Sequence, residues 1–411
     1  MSEKIYDICI IGAGASGLVA AIESSRRGLS SVVVDKNKKP GAKLYATGNG
    51  RCNLTNDDWD DDVYYDNPFP FRVFDLFFEK YNMRPRSFVV DYFKKLGINT
   101  INKHGYFYPE SMQASSVVWA LTDAVRQSGA EMVMGFEVTD IKDEEYFNER
   151  KAYVISDDNG NHLYARNILI STGGMSQVKS LDNPGFAADI SGIYIRRFAP
   201  GLCPVLVKED LTEISGVRCR SRIKAGSHSE VGELQITDKG ISGIVTFDMS
   251  YYMSQDDIIS INVLPGHSLE EMLEAFNSQK IAFPDKNIIL FLNGYINDKL
   301  SKFFVNKLYG EMAQGLKIKD ITDTGIKELY EEMSQWELTV KEKGGFEVSQ
   351  ASIGGISTDI IDPETMMIKT ISDRNHTIYV AGEATDVIGK CGGYNLTYAF
   401  LTGFVAGRSC R

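Results

Sequence analysis

A glycine-rich turn close to the N-terminus constrains the fold of this chain more than any other feature of its sequence. The segment from Tyr6 to Ile11 is rich in β-branched residues and leads directly into the run GAGASG at residues 12–17. A run of small and apolar residues follows, and a second β-branched run then ends at Asp35. This order predicts a strand, a tight turn, a helix and a second strand, in which the turn binds the diphosphate of a dinucleotide.

Each glycine of the turn meets a separate requirement of such a site. Gly12 permits the sharp turn, Gly14 lets the backbone approach the diphosphate, and Gly17 allows the helix to pack closely on the strand. The free N–H groups at the start of the helix, including those of Ala15 and Ser16, then face the negatively charged phosphates. Because the motif follows one strand, opens a helix and precedes another strand, we interpret it as a ligand site rather than a structural turn.

The acidic residue at the end of the second strand completes the dinucleotide pattern. We expect the Asp35 carboxylate to accept hydrogen bonds from the ribose hydroxyl groups. Lys36 follows it and either lies near the adenosine or is an ordinary solvated lysine at a strand end. These features leave the choice between FAD and NAD open.

Three further glycine-rich segments favour a flavin. The first is the loop 41–56, whose flexible backbone can surround a planar ring or a phosphate. The other two follow apolar strands, at 167–174 and at 377–383, and the latter leads into the run GGYNL at 392–396. Loops that follow the strands of a doubly wound sheet converge on one ligand crevice. A helix that begins near Asn395 could stabilise negative charge on a reduced flavin ring.

These motifs occur in the order found in the HI0933-like (YhiN/BaiN-type) flavoproteins, which the chain resembles over nearly its full length. The matching runs are GAGASG, KLYATGNGRCNLTN, ISTGG, GELQITDKGISG, IDPETM and AGEATDVIGKCGGYNLTYAF. The resemblance implies an NAD(P)/FAD-dependent oxidoreductase with an α/β fold. Its Rossmann-like, glutathione-reductase-like FAD-binding domain would comprise residues 1–195 and 345–411. A β-rich domain, 196–254 with 335–344, and a helical domain, 255–334, would be inserted between the two halves.

The motifs and the resemblance together predict a site for non-covalently bound FAD. The predicted cofactor-binding residues are Gly12, Gly14, Ala15, Ser16, Gly17, Asp35, Lys36, Lys43, Gly50, Arg51, Cys52, Asn53, Val138, Thr172, Gly173, Gly174, Gly382, Glu383, Gly393, Tyr394, Asn395 and Leu396. No second GxGxxG motif occurs, so we expect NAD(P)H to act only as a transient reductant that docks at the flavin face. We predict no bound metal, since the acidic cluster at 57–62 is most simply a solvated loop.

Three residues are candidates for a direct role in the chemistry. Tyr394 could act as an acid or a stacking group, although backbone positioning by its glycine neighbours is an alternative role. Tyr106 and His104 are the next candidates, and Tyr106 stands where many members of the resembled family have an arginine. Cys52 and Cys391 both fall in predicted flavin loops, but the chain lacks the closely spaced cysteine motif of disulfide flavoenzymes.

We therefore predict an FAD-dependent oxidoreductase that transfers a hydride through flavin N5 to or from a small or medium apolar organic substrate. Reduction of a C=C bond with NAD(P)H as the donor is one form of this reaction. The alternatives are a non-catalytic flavin-binding redox sensor and a flavin-dependent RNA-modifying enzyme. The formal net charge of −11 argues against a nucleic-acid partner.

The apolar runs and the cysteines of the sequence indicate where in the cell the protein is expected. No run approaches the roughly 20 apolar residues of a membrane helix, so we expect no membrane partner. The six cysteines contain no CxxC pair and are widely spaced, which predicts a reduced, cytoplasmic protein. The sequence does not determine the oligomeric state.

Overall fold

The structure is a computed structural model, and the residues that it describes are 4–65, 67–147, 150–176, 192–371 and 377–411. They form two compact units, one from residues 1–199 and 350–411 and the other from residues 200–349. The predicted α/β class is confirmed, with a Rossmann-type sheet in the first unit. The further division of the inserted segment into a β-rich and a helical domain stays a prediction.

The helices and strands of the described residues are as follows. The strands are β1 (Ile5–Ile11), β2 (Ser31–Asp35), β3 (Thr55–Asn56), β4 (Thr100–Lys103), β5 (Tyr106–Pro109), β6 (Glu131–Met134), β7 (Val138–Phe147), β8 (Arg150–Asp157), β9 (His162–Ile170), β10 (Ile195–Gly201), β11 (Val205–Val207), β12 (Arg218–Ala225), β13 (His228–Ile236), β14 (Gly240–Ser242), β15 (Ile258–Asn262), β16 (Trp336–Lys343), β17 (Ala351–Ile356) and β18 (Thr377–Val380). The α-helices are α1 (Ala15–Arg26), α2 (Ala42–Ala46), α3 (Phe69–Tyr81), α4 (Pro85–Lys95), α5 (Ala114–Ser128), α6 (Ile244–Met249), α7 (Leu269–Ala282), α8 (Ile288–Leu292), α9 (Asp298–Tyr309), α10 (Asp323–Ser334) and α11 (Tyr394–Ser409).

The first unit is organised around a sheet with the strand order β6-β2-β1-β9-β8-β7, in which β18 also pairs with β9. The pairs that involve β1, β2, β6 and β18 are parallel, whereas β8 pairs antiparallel with both β7 and β9. Val32, Val33 and Val34 of β2 are fully buried, as expected for a parallel strand covered on both faces. The loops that follow β1, β2, β9 and β18 therefore meet along one edge of the sheet.

Helices α1 and α11 pack against each other through small residues. A Cβ atom at Gly403 would lie 2.2 Å from the carbonyl oxygen of Ser16, and one at Gly407 would lie 2.5 Å from that of Ala20. The two helices are thus in backbone contact, and interiors packed this closely leave no room for an added methyl group. This contact brings the N-terminal glycine turn close to the C-terminal segment of the chain.

The second unit contains a closed barrel with the strand order β11-β14-β13-β12-β15-β16. Along β12 the burial alternates, with Ser221 and Ile223 facing inward and Arg220 and Arg222 facing outward. The helices of this unit share one hydrophobic core with the barrel. Strand β15 belongs to the barrel although it lies within the segment 255–334, which the sequence assigned to the helical domain.

None of the helices in the described part of the chain has both the length and the apolar character needed to cross a membrane.

Candidate functional site

The turn after β1 leaves backbone open at the start of α1. Gly14 is the N-cap of this helix, and no described atom lies within 4 Å of the position its Cβ would take. In contrast, a Cβ at Gly12 would lie 2.4 Å from the carbonyl oxygen of Ser171, and Gly12 has a φ of +109°. A Cβ at Gly17 would lie 1.9 Å from the carbonyl oxygen of Gly12. Gly12 and Gly17 are therefore required by packing, whereas Gly14 leaves the first N–H groups of α1 accessible to a ligand.

Asp35 lies beside this turn, at the end of β2. Its Oδ2 accepts a hydrogen bond of 2.7 Å from the backbone N–H of Ala13. Its Oδ1 accepts hydrogen bonds from the backbone and side-chain N–H groups of Asn37, at 2.7 and 2.8 Å. These bonds hold the carboxylate in one orientation. A carboxylate has about four acceptor positions, so capacity remains for a ribose hydroxyl group.

The segment before β7 lies next to Asp35. The backbone N–H groups of Gly135 and Phe136 donate to the Asp35 carbonyl oxygen, which brings the start of β7 at Val138 to this side of the sheet. The ammonium group of Lys36 lies 3.8 Å from a carboxylate oxygen of Glu137, and both side chains are largely exposed. The structure thus brings Asp35, Lys36 and Val138 together, with Lys36 in a solvated ion pair.

Lys43 of α2 and Glu383, which follows β18, form an ion pair between segments that are far apart in the sequence. Nζ of Lys43 lies 2.6 Å from Oε2 of Glu383 and donates a second bond of 2.6 Å to the Ser176 hydroxyl group. Ser176 donates to Oε1 of Glu383 at 3.2 Å, and the backbone N–H of Ser352 donates to the same oxygen at 2.9 Å. A Cβ at Gly174 would lie 2.7 Å from the hydroxyl oxygen of Ser352. Four separate segments of the chain therefore meet in one polar cluster.

Ser176 and Ser352 belong to this cluster but were not among the predicted site residues. The Ser352 hydroxyl oxygen accepts hydrogen bonds from the backbone N–H groups of Met175 and Ser176, at 2.7 and 2.8 Å. A signal for this position exists in the sequence, because Gly354 and Gly355 follow Ser352 in an otherwise apolar strand. Paired glycines within a strand indicate a close approach of another backbone.

Two buried oxygen atoms of predicted site residues have no hydrogen-bond partner among the described residues, namely Oγ1 of Thr172 and Oδ1 of Asn53. Thr172 lies against the N-terminal turn, since its Cα is 3.1 Å from the position that a Cβ of Gly12 would take. A buried polar atom without a partner costs about 1–3 kcal/mol, and a bound ligand would remove that cost. Together with the open backbone at Gly14, these atoms fit a dinucleotide cofactor.

Gly393 and Asn395 hold the loop before α11 in place. A Cβ at Gly393 would lie 2.9 Å from backbone atoms of Thr55, and Gly393 has a φ of +97°. The side-chain amide of Asn395 both accepts from the N–H and donates to the carbonyl oxygen of Gly389, at 2.7 Å in each case. Leu396 packs against the core of the first unit. The Asn395 side chain is therefore engaged with its own loop.

Gly382 connects this region to α1. Its N–H donates to the Thr402 hydroxyl group at 3.0 Å, and a Cβ there would lie 2.7 Å from the hydroxyl oxygen of Ser16. Ser16 is 5% exposed, and its hydroxyl oxygen lies 3.5 Å from the carbonyl oxygen of Ala381. Because its hydroxyl group faces the C-terminal segment, the backbone N–H is the group of Ser16 that remains for a ligand.

The hydroxyl group of Tyr394 is already bonded within the protein. It donates to the carbonyl oxygen of Asp58 at 2.7 Å, and the ring packs edge-on against Trp59 with a centroid distance of 5.2 Å. This arrangement favours the positioning alternative for Tyr394 over a role as an acid. Tyr106 lies in β5, 3.4 Å from the position that a Cβ of Gly392 would take, and so contacts the C-terminal loop.

His104 lies at the exposed tip of the hairpin between β4 and β5, where its φ is +54°. Gly50 and Arg51 are exposed, while the neighbouring Cys52 is buried. Burial raises the pKa of the Cys52 thiol to about 12, so the thiol is protonated at neutral pH. Cys52 and Cys391 are both free cysteines. Within the described residues, no three or more His, Cys, Asp or Glu side chains are grouped as metal ligands would be.

Comparisons with known proteins place these observations in context. A family model described as the HI0933-like protein Rossmann domain matches residues 6–409. The chain is 31% identical to 3-dehydro-bile acid delta(4,6)-reductase of Clostridium scindens, over 98% of both chains. It is 27% identical to ribosomal RNA dihydrouridine synthase of Haemophilus influenzae, over 100% of this chain and 99% of the relative.

A solved structure supports the architecture. The 3-ketosteroid delta1-dehydrogenase of Sterolibacterium denitrificans superposes with a TM-score of 0.51 over 98% of each chain, at 13% identity. At this level of identity the likeness shows a shared fold.

Proposed function

The chain belongs to the HI0933-like family of FAD-dependent oxidoreductases, and from this premise we propose that it reduces a C=C bond of an apolar organic substrate. The match confirms the resemblance seen in the motifs. When bound, FAD supplies a hydride from N5 of its reduced ring. NAD(P)H is the proposed transient reductant.

One observation carries the cofactor assignment, namely the open backbone at the start of α1. The space beside Gly14 and the unsatisfied N–H groups of the first helical turn suit a diphosphate, which the helix dipole also attracts. Asp35 is held beside the turn with acceptor capacity to spare for the ribose. The Thr172 hydroxyl group and the Asn53 amide oxygen would take hydrogen bonds from the same ligand.

The polar cluster around Lys43 suits the polar part of the cofactor that lies beyond the diphosphate. Lys43 is held by Glu383 and Ser176, so its ammonium group is kept in one position. Two of its three N–H groups are used within the protein, so one remains to donate to a bound ligand at no cost in rearrangement. Tyr106, which contacts the C-terminal loop, is the proposed substrate-facing residue.

The proposed substrate class rests on the relative from Clostridium scindens. Its name describes the reduction of double bonds in a 3-dehydro-bile acid, and the match covers nearly the whole of both chains. A conjugated ketone of similar size and apolar character is therefore the first substrate class to test.

Spectroscopy of the purified full-length chain tests the proposal. We expect visible flavin absorbance, either as purified or after addition of FAD, and bleaching by NADPH or NADH without oxygen. Addition of a conjugated 3-oxosteroid should then restore the colour and yield the saturated product by mass spectrometry. A colourless protein that takes up no added FAD would contradict the proposal.

A second candidate is supported by the relative from Haemophilus influenzae, which also matches along nearly its whole length. Its name implies reduction of the uracil ring in RNA, which is again reduction of a C=C bond. The net charge of −11 opposes this candidate, because an acidic protein repels phosphates. Formation of dihydrouridine in ribosomal RNA, with the conjugated ketone left unchanged, would favour it over the first.

A further inference from the structure

Strand β12 carries a row of basic side chains on the outside of the barrel. The row consists of Arg218, Arg220, Arg222 and Lys224, and all four residues are exposed. Alternate residues of a strand point to the same side, about 7 Å apart along it. The row therefore concentrates positive charge on one face of a chain whose net charge is −11.

The charges of this row are mostly not neutralised within the protein. Arg218 lies 3.7 Å from a carboxylate oxygen of Glu233, and both side chains are more than half exposed. Because solvent screens such a pair, it contributes little to the stability of the fold. No ion pair involves Arg220, Arg222 or Lys224 within the part of the chain that the structure describes. Neighbouring like charges repel each other, and a bound anion would relieve that repulsion.

A cavity of about 360 Å³ in the second unit begins where this row begins. Its lining includes Arg218, Arg220, His267, Asn293, Tyr295 and Asn297. The volume lies within the usual range of small-molecule sites, roughly 300–1,000 Å³. The lining thus combines two guanidinium groups with side-chain amides and aromatic rings.

One atom of the lining lacks a hydrogen-bond partner. Oδ1 of Asn293 is buried and accepts no hydrogen bond from the described residues, whereas Nδ2 of the same side chain donates to Asp298 at 3.1 Å. An N–H or O–H group of a ligand would satisfy this oxygen. The rings of His267 and Tyr295 pack edge to face, with centroids 5.3 Å apart, and so form an aromatic wall beside it.

We propose that this cavity binds a phosphorylated nucleoside, with the phosphate at Arg218 and Arg220 and the base beside Tyr295. Guanidinium groups bind phosphate through paired hydrogen bonds, and bases stack on aromatic rings. Asn293 would accept a hydrogen bond from an N–H group of the base or a hydroxyl group of the sugar. The nucleotide arrives either free or as part of an RNA strand, which would extend along Arg222 and Lys224.

The test compares two variants of the full-length chain that remove the same charge. Arg220→Gln removes a cavity residue, and Arg222→Gln removes its neighbour in the row, which does not line the cavity. The probes are AMP, UMP and a short single-stranded RNA, titrated calorimetrically into the chain after it has been saturated with FAD and the unbound FAD has been removed. Both arginines are exposed, so both variants should fold, which circular dichroism would verify.

A free nucleotide is indicated if AMP or UMP binds, Arg220→Gln weakens binding about tenfold and Arg222→Gln has little effect. RNA is indicated if the oligonucleotide binds about tenfold more tightly than UMP, if both variants weaken RNA binding with the larger effect in Arg220→Gln, and if added salt weakens it further. The proposal is overturned if no probe binds, or if Arg220→Gln weakens binding no more than Arg222→Gln for every probe. None of these outcomes depends on turnover at the flavin.

Discussion

The candidate sites of the two units are made of different chemical groups. In the first unit the N-terminal turn offers main-chain N–H groups, and its glycines matter because they lack side chains. In the second unit the cavity offers guanidinium, imidazole, amide and phenol groups. A main-chain site is damaged by adding atoms, whereas a side-chain site is damaged by removing them. The substitutions below use this contrast.

The largest effect is expected for Gly17→Ala and Gly403→Ala. Alanine normally stabilises a helix relative to glycine, by about 1 kcal/mol. Here the added Cβ would lie 1.9 Å from the Gly12 carbonyl oxygen or 2.2 Å from the Ser16 carbonyl oxygen. We therefore expect the opposite sign, a loss of about 3 kcal/mol in the free energy of unfolding, measured with urea. A higher free energy of unfolding in either variant would refute the backbone contact at that glycine.

The next largest effect is expected for Gly14→Ala, which serves as the matched control for stability. Its Cβ would meet no described atom within 4 Å, so the loss in stability should stay below about 1 kcal/mol. The dissociation constant for FAD should rise at least about tenfold, because the methyl group enters the space proposed for the diphosphate. Fluorescence titration with FAD measures this.

The sites of the two units would not be independent if a substitution in one unit changed binding at the other. Arg220→Gln should leave the affinity for FAD unchanged, and Gly14→Ala should leave nucleotide binding by the second unit unchanged. An unaltered affinity for FAD in Gly14→Ala would show that the diphosphate does not bind beside Gly14.

A smaller effect is expected for Thr172→Val, which removes a buried hydroxyl group and keeps its shape. Since the hydroxyl oxygen has no partner among the described residues, the ligand-free chain should lose no stability. The affinity for FAD should fall about fivefold, the value of one neutral hydrogen bond. Thr122→Val is the control, because its buried hydroxyl group already donates to the carbonyl oxygen of Val118 within α5. Equal FAD affinities in both variants would count against Thr172.

The smallest effect is expected for chemical modification of Cys52, because burial raises the pKa of its thiol to about 12. Because the thiolate is the reactive form, iodoacetamide at about pH 8 should leave Cys52 unmodified in the folded chain. Labelling should appear only as the pH approaches 12 or when urea unfolds the protein. Peptide mass spectrometry reports the site, and rapid labelling of the native chain near neutral pH would revive the redox-pair hypothesis.

The turn of the first unit could be predicted from sequence because its requirements are local. A sharp turn, an open N-cap and a tight helix–strand contact each demand a glycine within six consecutive residues, and β1, α1 and β2 form where expected. The strand β18 and the helix α11 were also predictable, since an apolar run and a run of small residues mark them.

The remaining parts depend on contacts between distant segments. The sequence suggested both Lys43 and Glu383 but not their ion pair, and Ser176, which bonds to both, was not among the predicted site residues. The hydroxyl group of Tyr394 points to Asp58 because an aromatic cluster surrounds the ring, and that cluster forms only in the folded chain.

The cavity of the second unit could not be predicted from the sequence, because it too depends on contacts between distant segments. Its lining comes from three separated segments, 218–220, 263–267 and 293–297, which share no motif. The alternating arginines of β12 were visible, but their outward direction follows from the register of the barrel. Charge alternation in a short strand does not by itself distinguish a binding surface from a solvated one.

The division of the first unit between both ends of the chain has a consequence for biosynthesis. Strand β9 pairs with β18, and α1 packs against α11, so the nucleotide turn is translated long before the segments that complete its surroundings. Residues 200–349 are contiguous and leave the ribosome as one block. The inserted unit can therefore fold on the nascent chain before β18 and α11 join the six earlier strands of the sheet. A stop codon within α11 would consequently disable the nucleotide turn, although that turn is translated much earlier.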